Sequence, residues 1–153
     1  MKRTLTIFTT LICILALLAA CDGDALTSKE PVIITELNQA YEDNTIRVTI
    51  TELKATERQR EDDDRITVST MFLVENLSEH EIYISRHRMK AYADDFAVDA
   101  GNTAANIAPN KKAEISSSSI IPKDTKCIEL YFEHPYKNTL VAIFAFDVPP
   151  VES

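Results

Sequence analysis

The sequence predicts an all-β protein, an antiparallel β-sandwich of seven or eight strands behind a cleaved N-terminal segment. Three observations predict it. Apolar and polar side chains alternate at period two, as in Ile46, Val48 and Ile50 against Arg47, Thr49 and Thr51. Turn signals built from Asn, Asp and Pro separate such runs. No long segment carries apolar residues at the 3.6 spacing of an amphipathic helix. Each sheet then has one apolar face to cover, and two sheets packed face to face cover both.

The elements follow in order. Met1-Lys2-Arg3 is a short positive start, and Leu5 to Leu18 is an uncharged apolar run. That run is shorter than the roughly 20 residues that span a bilayer, but it suits the core of a signal peptide. It closes in Leu18-Ala19-Ala20-Cys21. These four positions resemble the lipobox of bacterial lipoproteins, in which small residues admit the peptidase and the cysteine thiol takes the lipid. The resemblance implies that residues 1–20 are a lipoprotein signal peptide and that Cys21 becomes the lipidated N-terminus. It also implies a protein anchored to the cell membrane on its extracytoplasmic face. Two acyl chains hold a protein stably, because each buried CH₂ contributes about 0.8 kcal/mol.

Residues 21–34 read as a tether and residues 35–153 as the folded domain. The polar stretch Asp22 to Glu30 reaches about 30 Å when extended. Thr35 to Tyr41 fits either a short helix or a first edge strand. Ile46 to Ile50 is a strand with one buried face, and Thr56 to Arg65 is a charged connection. Ile66 to Asn76 has apolar residues on both faces (Ile66, Val68, Phe72 and Val74 against Met71 and Leu73), as a central strand would. Asn76 to Glu79 is a turn, and Glu81 to Ser85 points Ile82 and Ile84 inward. Met89 to Ala93 and Phe96 to Val98 are weaker strands, and Asn102 to Asn106 reads as loop. After the turn Ala108 to Lys111, Lys112 to Ile121 is a strand closed by Pro122-Lys123-Asp124. Cys127 to Glu133 alternates, His134 to Asn138 turns the chain, and Leu140 to Phe146 is apolar on both faces.

Three tracts carry a second resemblance. TIRVTITELKA (45–55), VENLSEHEIYI (74–84) and NIAPNKKAEISSSSIIPKD (106–124) resemble a family of secreted bacterial lipoproteins with one immunoglobulin-like domain of unknown function. That family is related to the mycobacterial immunoprotective extracellular antigens. In it a strand ends in Asn plus a small polar residue, matched here by Asn76 and Ser78. A later strand ends in Val-Pro-Lys-Asp, nearly matched by Ile121-Pro122-Lys123-Asp124. Asn110 stands where the family has Gly, and Asn tolerates the left-handed φ such a turn needs. The resemblance spans about residues 35–147 and implies an immunoglobulin-like antiparallel β-sandwich.

Composition bounds the function. The chain has 153 residues, 16 Lys and Arg against 24 Asp and Glu, a net charge of −8, three Cys and two Gly. Gly23 and Gly101 cannot build a phosphate-cradling loop, a dinucleotide fingerprint or a nucleophile elbow. The acidic balance argues against nucleic acid. Cleavage removes Lys2 and Arg3 and no acid, so the mature chain is two charges more negative. Cys13 leaves with the signal and Cys21 carries lipid, which leaves Cys127 without a disulfide partner.

Candidate chemistry is sparse. Glu61-Asp62-Asp63-Asp64 could offer carboxylate oxygens to a hard cation, but it lacks the spacing and the Gly of a calcium loop. We read it as a solvated connection and expect no metal site. His80, His87 and His134 sit beside turns without metal-ligand spacing and read as surface residues. Arg86-His87-Arg88 with Lys90 is a basic cluster suited to an anionic partner or to a charged sheet edge. Parity puts Ser117 and Ser119 on the face of Ile115, and Ser116 and Ser118 on that of Glu114. No base or oxyanion hole accompanies them. Cys127, next to Glu129 and Glu133, lacks the cationic surroundings of a reactive thiol. The expectation is a lipid-anchored module with no catalytic residues and no cofactor, binding a protein or cell-envelope ligand through loops or an exposed sheet face. The alternative is a protease inhibitor or immunity-type protein that blocks an incoming partner.

Overall fold

The computed structural model describes residues 30–58 and 64–152. The lipobox and most of the tether lie outside the described residues, as do Glu61, Asp62 and Asp63. The strands are β1 (Val32–Ile34), β2 (Ala40–Glu42), β3 (Ile46–Glu57), β4 (Arg65–Asn76), β5 (Ile82–Ile84), β6 (Met89–Ala93) and β7 (Phe96–Val98). They continue as β8 (Ala100–Asn102), β9 (Ala105–Ile107), β10 (Lys112–Pro122), β11 (Cys127–Glu133), β12 (Leu140–Asp147) and β13 (Val151–Glu152).

One sheet runs β1-β12-β11-β6-β7 and the other β13-β3-β4-β10-β8, with β2 also on β3. The sequence β3-β4-β10-β8 matches the A-B-E-D order of an immunoglobulin domain, and β12-β11-β6-β7 matches G-F-C-C′. The fold is an immunoglobulin-like β-sandwich. The β1-β12-β11-β6-β7 sheet is the GFC sheet and the β13-β3-β4-β10-β8 sheet the ABE sheet. The core forms where their inner faces meet. Phe72 of β4 packs edge-to-face on Phe144 of β12, with ring centroids 6.1 Å apart at 87°. Phe132, Ile50, Ile115 and Ile128 are equally buried around them. With Cys127 a free thiol, this apolar seam takes the place of an inter-sheet disulfide.

The long strands are those that the alternation marks, because a half-buried strand must alternate. The short ones escape it. Thirteen strands stand among the described residues, more than seven or eight, and the extra ones are edge pieces of two or three residues. Such pieces are held by backbone pairing and carry too few side chains for a period. Val32–Ile34, within the stretch read as tether, pairs in parallel with β12, Ile33 opposite Ile143, and buries Ile34. Residues 102–106, read as loop, include the end of β8 and the start of β9. Residues 35–41, read as a short helix or a first edge strand, are mostly turn, and only Ala40 and Tyr41 enter a strand, β2 beside β3. Leu140 to Phe146 is fully buried only on the side of Ala142, Phe144 and Phe146, and its other face is half-buried.

Turns without glycine rely on asparagine and aspartate. Asn38, Asp94, Asn110 and Asn138 all hold positive φ, at 66°, 49°, 56° and 50°. Asn110 thus does what Gly does in the resembling family. Asn110→Ala should lower stability by about 1 kcal/mol in urea titration, since Cβ crowds the left-handed region. Asn110→Gly should leave it within about 0.5 kcal/mol.

Candidate functional site

Two outer faces and one buried cluster hold the side chains that could act. On the outer face of the GFC sheet, register sets Ile33, Ile143, Tyr131 and Lys90 in one row. The next row holds Ala145, Glu129, Tyr92 and Ala97. The rings of Tyr92 and Tyr131 lie 4.7 Å apart, tilted by 47°. Tyr131 donates its hydroxyl to Glu129 Oε2 at 3.1 Å, and Lys90 Nζ pairs with Glu133 at 2.5 Å. Ile33 is 65% exposed at the edge of this face. Cys127 lies opposite Asp147, with its backbone N–H bonded to Asp94 Oδ1 at 3.0 Å. Burial and then the carboxylates of Glu129, Asp147 and Asp94 push its thiol up, so it stays protonated at neutral pH. Burial, the Glu129 hydrogen bond and the Glu129 charge likewise push Tyr131 up. The face is aromatic, partly apolar and electrically negative.

The outer face of the ABE sheet is different. Arg47 bridges Glu42 at 2.6 Å and Glu75 at 3.3 Å, and Lys54 pairs with Glu52. A shallow depression of about 310 Å³ opens among Glu52, Lys54, Ser69, Met71, Ser116 and Ser118. Ser117 and Ser119 point into the core, 3% and 2% exposed, as parity predicts. The outward serines face hydroxyls and ion pairs, and no histidine lines the depression.

The buried cluster corrects the reading of His134 as a surface residue. Its side chain is 1% exposed. The turn after β11 folds over the ring, so that the backbone N–H groups of Tyr136 and Lys137 donate to Nδ1 at 3.2 and 3.3 Å. The proton of the neutral ring therefore sits on Nε2. Nε2 stands 3.1 Å from Asp43 Oδ2, off the line of a regular hydrogen bond. Asp43 belongs to the β2–β3 turn of the other sheet. Its Oδ1 accepts from Thr45 and Ile46 N–H at 2.8 and 3.0 Å, and its Oδ2 meets Tyr41 Oη at 3.1 Å and Lys137 Nζ at 3.3 Å. Burial and the Asp43 carboxylate push Tyr41 up to about 12. The cluster clasps one end of the two sheets together, and His134 does not line the depression on the ABE sheet.

The remaining candidates fall apart. His80 and His87 are exposed. Among the described residues no three His, Cys, Asp or Glu side chains converge on a metal position. The basic cluster is not a free patch: Arg88 bonds Asn138 and, at 3.2 Å, the Pro135 carbonyl, while Lys90 is tied to Glu133. Tyr92 and Tyr131 were not singled out by spacing. Parity puts Tyr131 beside Glu129 and Cys127, but the register that brings Tyr92 diagonally against it joins residues 39 positions apart in the chain.

No protein-family model matches the chain, and no curated protein does. Solved structures do share its fold. One is the "putative lipoprotein" ycdA of Bacillus subtilis, with a TM-score of 0.61 at 17% identity, covering 74% of this chain and 39% of that one. The chain thus spans well under half of that protein's length. A second is an uncharacterised β-sandwich protein of Clostridium difficile, with a TM-score of 0.52 at 9% identity over 79% of this chain and 96% of that one. A third is the yjhA protein of Bacillus subtilis, with a TM-score of 0.51 at 12% identity over 76% of this chain and 99% of that one. At these identities the likeness is one of fold: a β-sandwich shared with a protein described as a "putative lipoprotein".

Proposed function

We propose that the chain is a lipid-anchored, extracytoplasmic binding module of the bacterial cell envelope, which takes its ligand on the outer face of the GFC sheet and performs no catalysis. The Tyr92–Tyr131 pair carries the binding part of the reading. Tyrosine presents a rigid apolar ring with a polar tip, and it is enriched where proteins meet partners. Here two of them adjoin the exposed Ile33 and the half-buried Ile143, whereas the opposite sheet pairs its charges among themselves. The anchoring part rests on Leu18, Ala19, Ala20 and Cys21, with the ycdA likeness beside it. Kinship with the mycobacterial antigens rests on the sequence tracts 45–55, 74–84 and 106–124 alone. An inhibitor or immunity-type protein would use the same face, with the blocked protein as its ligand.

Two experiments test the two parts. Cys21→Ala should shift the protein from the membrane to the soluble or unprocessed fraction. A variant still in the membrane fraction at the mature mass would overturn the anchor. Tyr92→Ser with Tyr131→Ser should abolish retention of the envelope ligand, while Met71→Ser with Leu73→Ser on the other sheet should keep it. Equal retention by both pairs would overturn the face.

A further inference from the structure

The same face says what kind of ligand it takes. Its carboxylates outnumber its cations: Glu129, Glu133 and Asp147 occupy outward positions against Lys90, which Glu133 already engages, while Asp94 and Lys126 meet at one end of the face. Glu129 is held beside the tyrosine pair by the Tyr131 hydroxyl, so carboxylate and ring are presented together. Burial is the first cause of the upward push on Cys127 and Tyr131, and the Glu129 carboxylate raises both further, with Asp147 and Asp94 adding to Cys127. A chain of net charge −8 adds a long-range field of the same sign. An anionic partner, a nucleic acid or an acidic lipid surface is repelled here. A Lys or Arg side chain meets both groups it needs: an aromatic face for its cation and a carboxylate for its N–H donors. Its aliphatic stem meets the Ile143 and Ile33 row.

We infer that the ligand of this face is a cationic polypeptide segment, Lys- or Arg-rich, laid across Tyr92, Tyr131 and Glu129. This deepens the binding-face reading above and rests on it. The occupant is committed by charge. A neutral glycan could stack on the tyrosines but would leave the surplus carboxylates unused.

The test uses the full chain in a non-ionic detergent and fluorescence anisotropy of a labelled, about ten-residue Lys/Arg peptide. An acidic peptide of equal length and a labelled neutral oligosaccharide are run beside it. The cationic peptide should bind and the other two should not. Affinity should fall at least tenfold between about 0.01 M and about 0.15 M salt, as the screening length drops from about 30 Å to about 8 Å. Glu129→Gln with Asp147→Asn should weaken binding about fivefold or more. Glu52→Gln with Glu114→Gln removes the same charge from the ABE sheet and should change binding less than about twofold. Thermal melting confirms that both variants are folded. Equal weakening by the two pairs would reduce the effect to bulk charge and overturn the proposal. Failure of the peptide with binding of the oligosaccharide, lost in Tyr92→Ser with Tyr131→Ser, would also overturn it while leaving the binding face standing. Failure of both probes would overturn the cationic ligand; the face itself is judged by the envelope-retention variants above.

Discussion

Asn76→Ala should destabilise the protein by about 3 kcal/mol, seen as a fall in melting temperature of about 10 °C. Asn76 ends β4 and is 1% exposed, yet every hydrogen-bonding position of its amide is filled. Nδ2 donates to the carbonyls of His80 and Ile107 at 2.7 and 2.8 Å. Oδ1 accepts from the backbone N–H of Ser78 at 2.9 Å and from its hydroxyl at 2.7 Å. One side chain thereby joins the end of β4, the following turn and β9. Truncation leaves the Ile107 carbonyl buried without this partner and the Ser78 N–H unmet, at about 1–3 kcal/mol for each buried group. Asn76→Asp keeps the shape but loses both donors and sets an anion against two carbonyls, so it should be at least as harmful. If Asn76→Asp were neutral, the amide would matter for volume rather than for hydrogen bonding. Against a total stability of about 5–15 kcal/mol, this one residue is a large fraction.

Acid should weaken the clasp between the sheets, and His134→Gln should remove much of that sensitivity. Burial holds the His134 ring below its ordinary value of 6.5, opposed by the Asp43 charge and assisted by Lys137 and Arg88. An unfolded chain takes up this proton near pH 6.5 and the folded protein only at lower pH. Below pH 6.5 the unfolded state therefore binds more protons, and stability falls as pH falls, at up to about 1.4 kcal/mol per pH unit. Protonation also forces Nδ1 to stop accepting from Tyr136 and Lys137. Asp43 adds a second stage. Burial raises it, but the Thr45 and Ile46 amides, Lys137 and His134 outweigh burial and hold it below its ordinary 3.8, so its contribution is lost below that value. Urea midpoints at about pH 7.5 and about pH 5.5 should differ clearly in the wild type and much less in His134→Gln. At the higher pH the substitution itself should cost about 2 kcal/mol through the lost turn bonds. Equal pH slopes in both proteins would remove His134 as the titrating group.

Much of the framework is legible in the residues, for physical reasons that also mark where legibility ends. A strand that buries one face must alternate, so β3, β4, β10, β11 and β12 show themselves, and the inward and outward serines follow by parity. Asn76 and Asn110 are visible because a buried amide hub and a left-handed turn each need a particular side chain. Edge strands of two or three residues, such as β1, leave no periodic trace. Burial of His134 depends on a turn folding over its ring and on Asp43 arriving from the other sheet, 91 positions earlier in the chain. The tyrosine pair depends on the register of β6 against β11, which no local pattern encodes. The basic look of residues 86–90 dissolves for the same reason, since the partners of Arg88 and Lys90 lie more than forty residues away.

The central claim is that the outer face of the GFC sheet, and not that of the ABE sheet, meets the ligand. It is tested most directly by placing a photo-crosslinking amino acid at Tyr131 or Ile143 and, in parallel, at Met71 or Ser116, in the full chain expressed in cells. Irradiation should give discrete adducts from positions 131 and 143 and none from 71 and 116. Adducts from the ABE sheet alone, or equally from both sheets, would contradict the account.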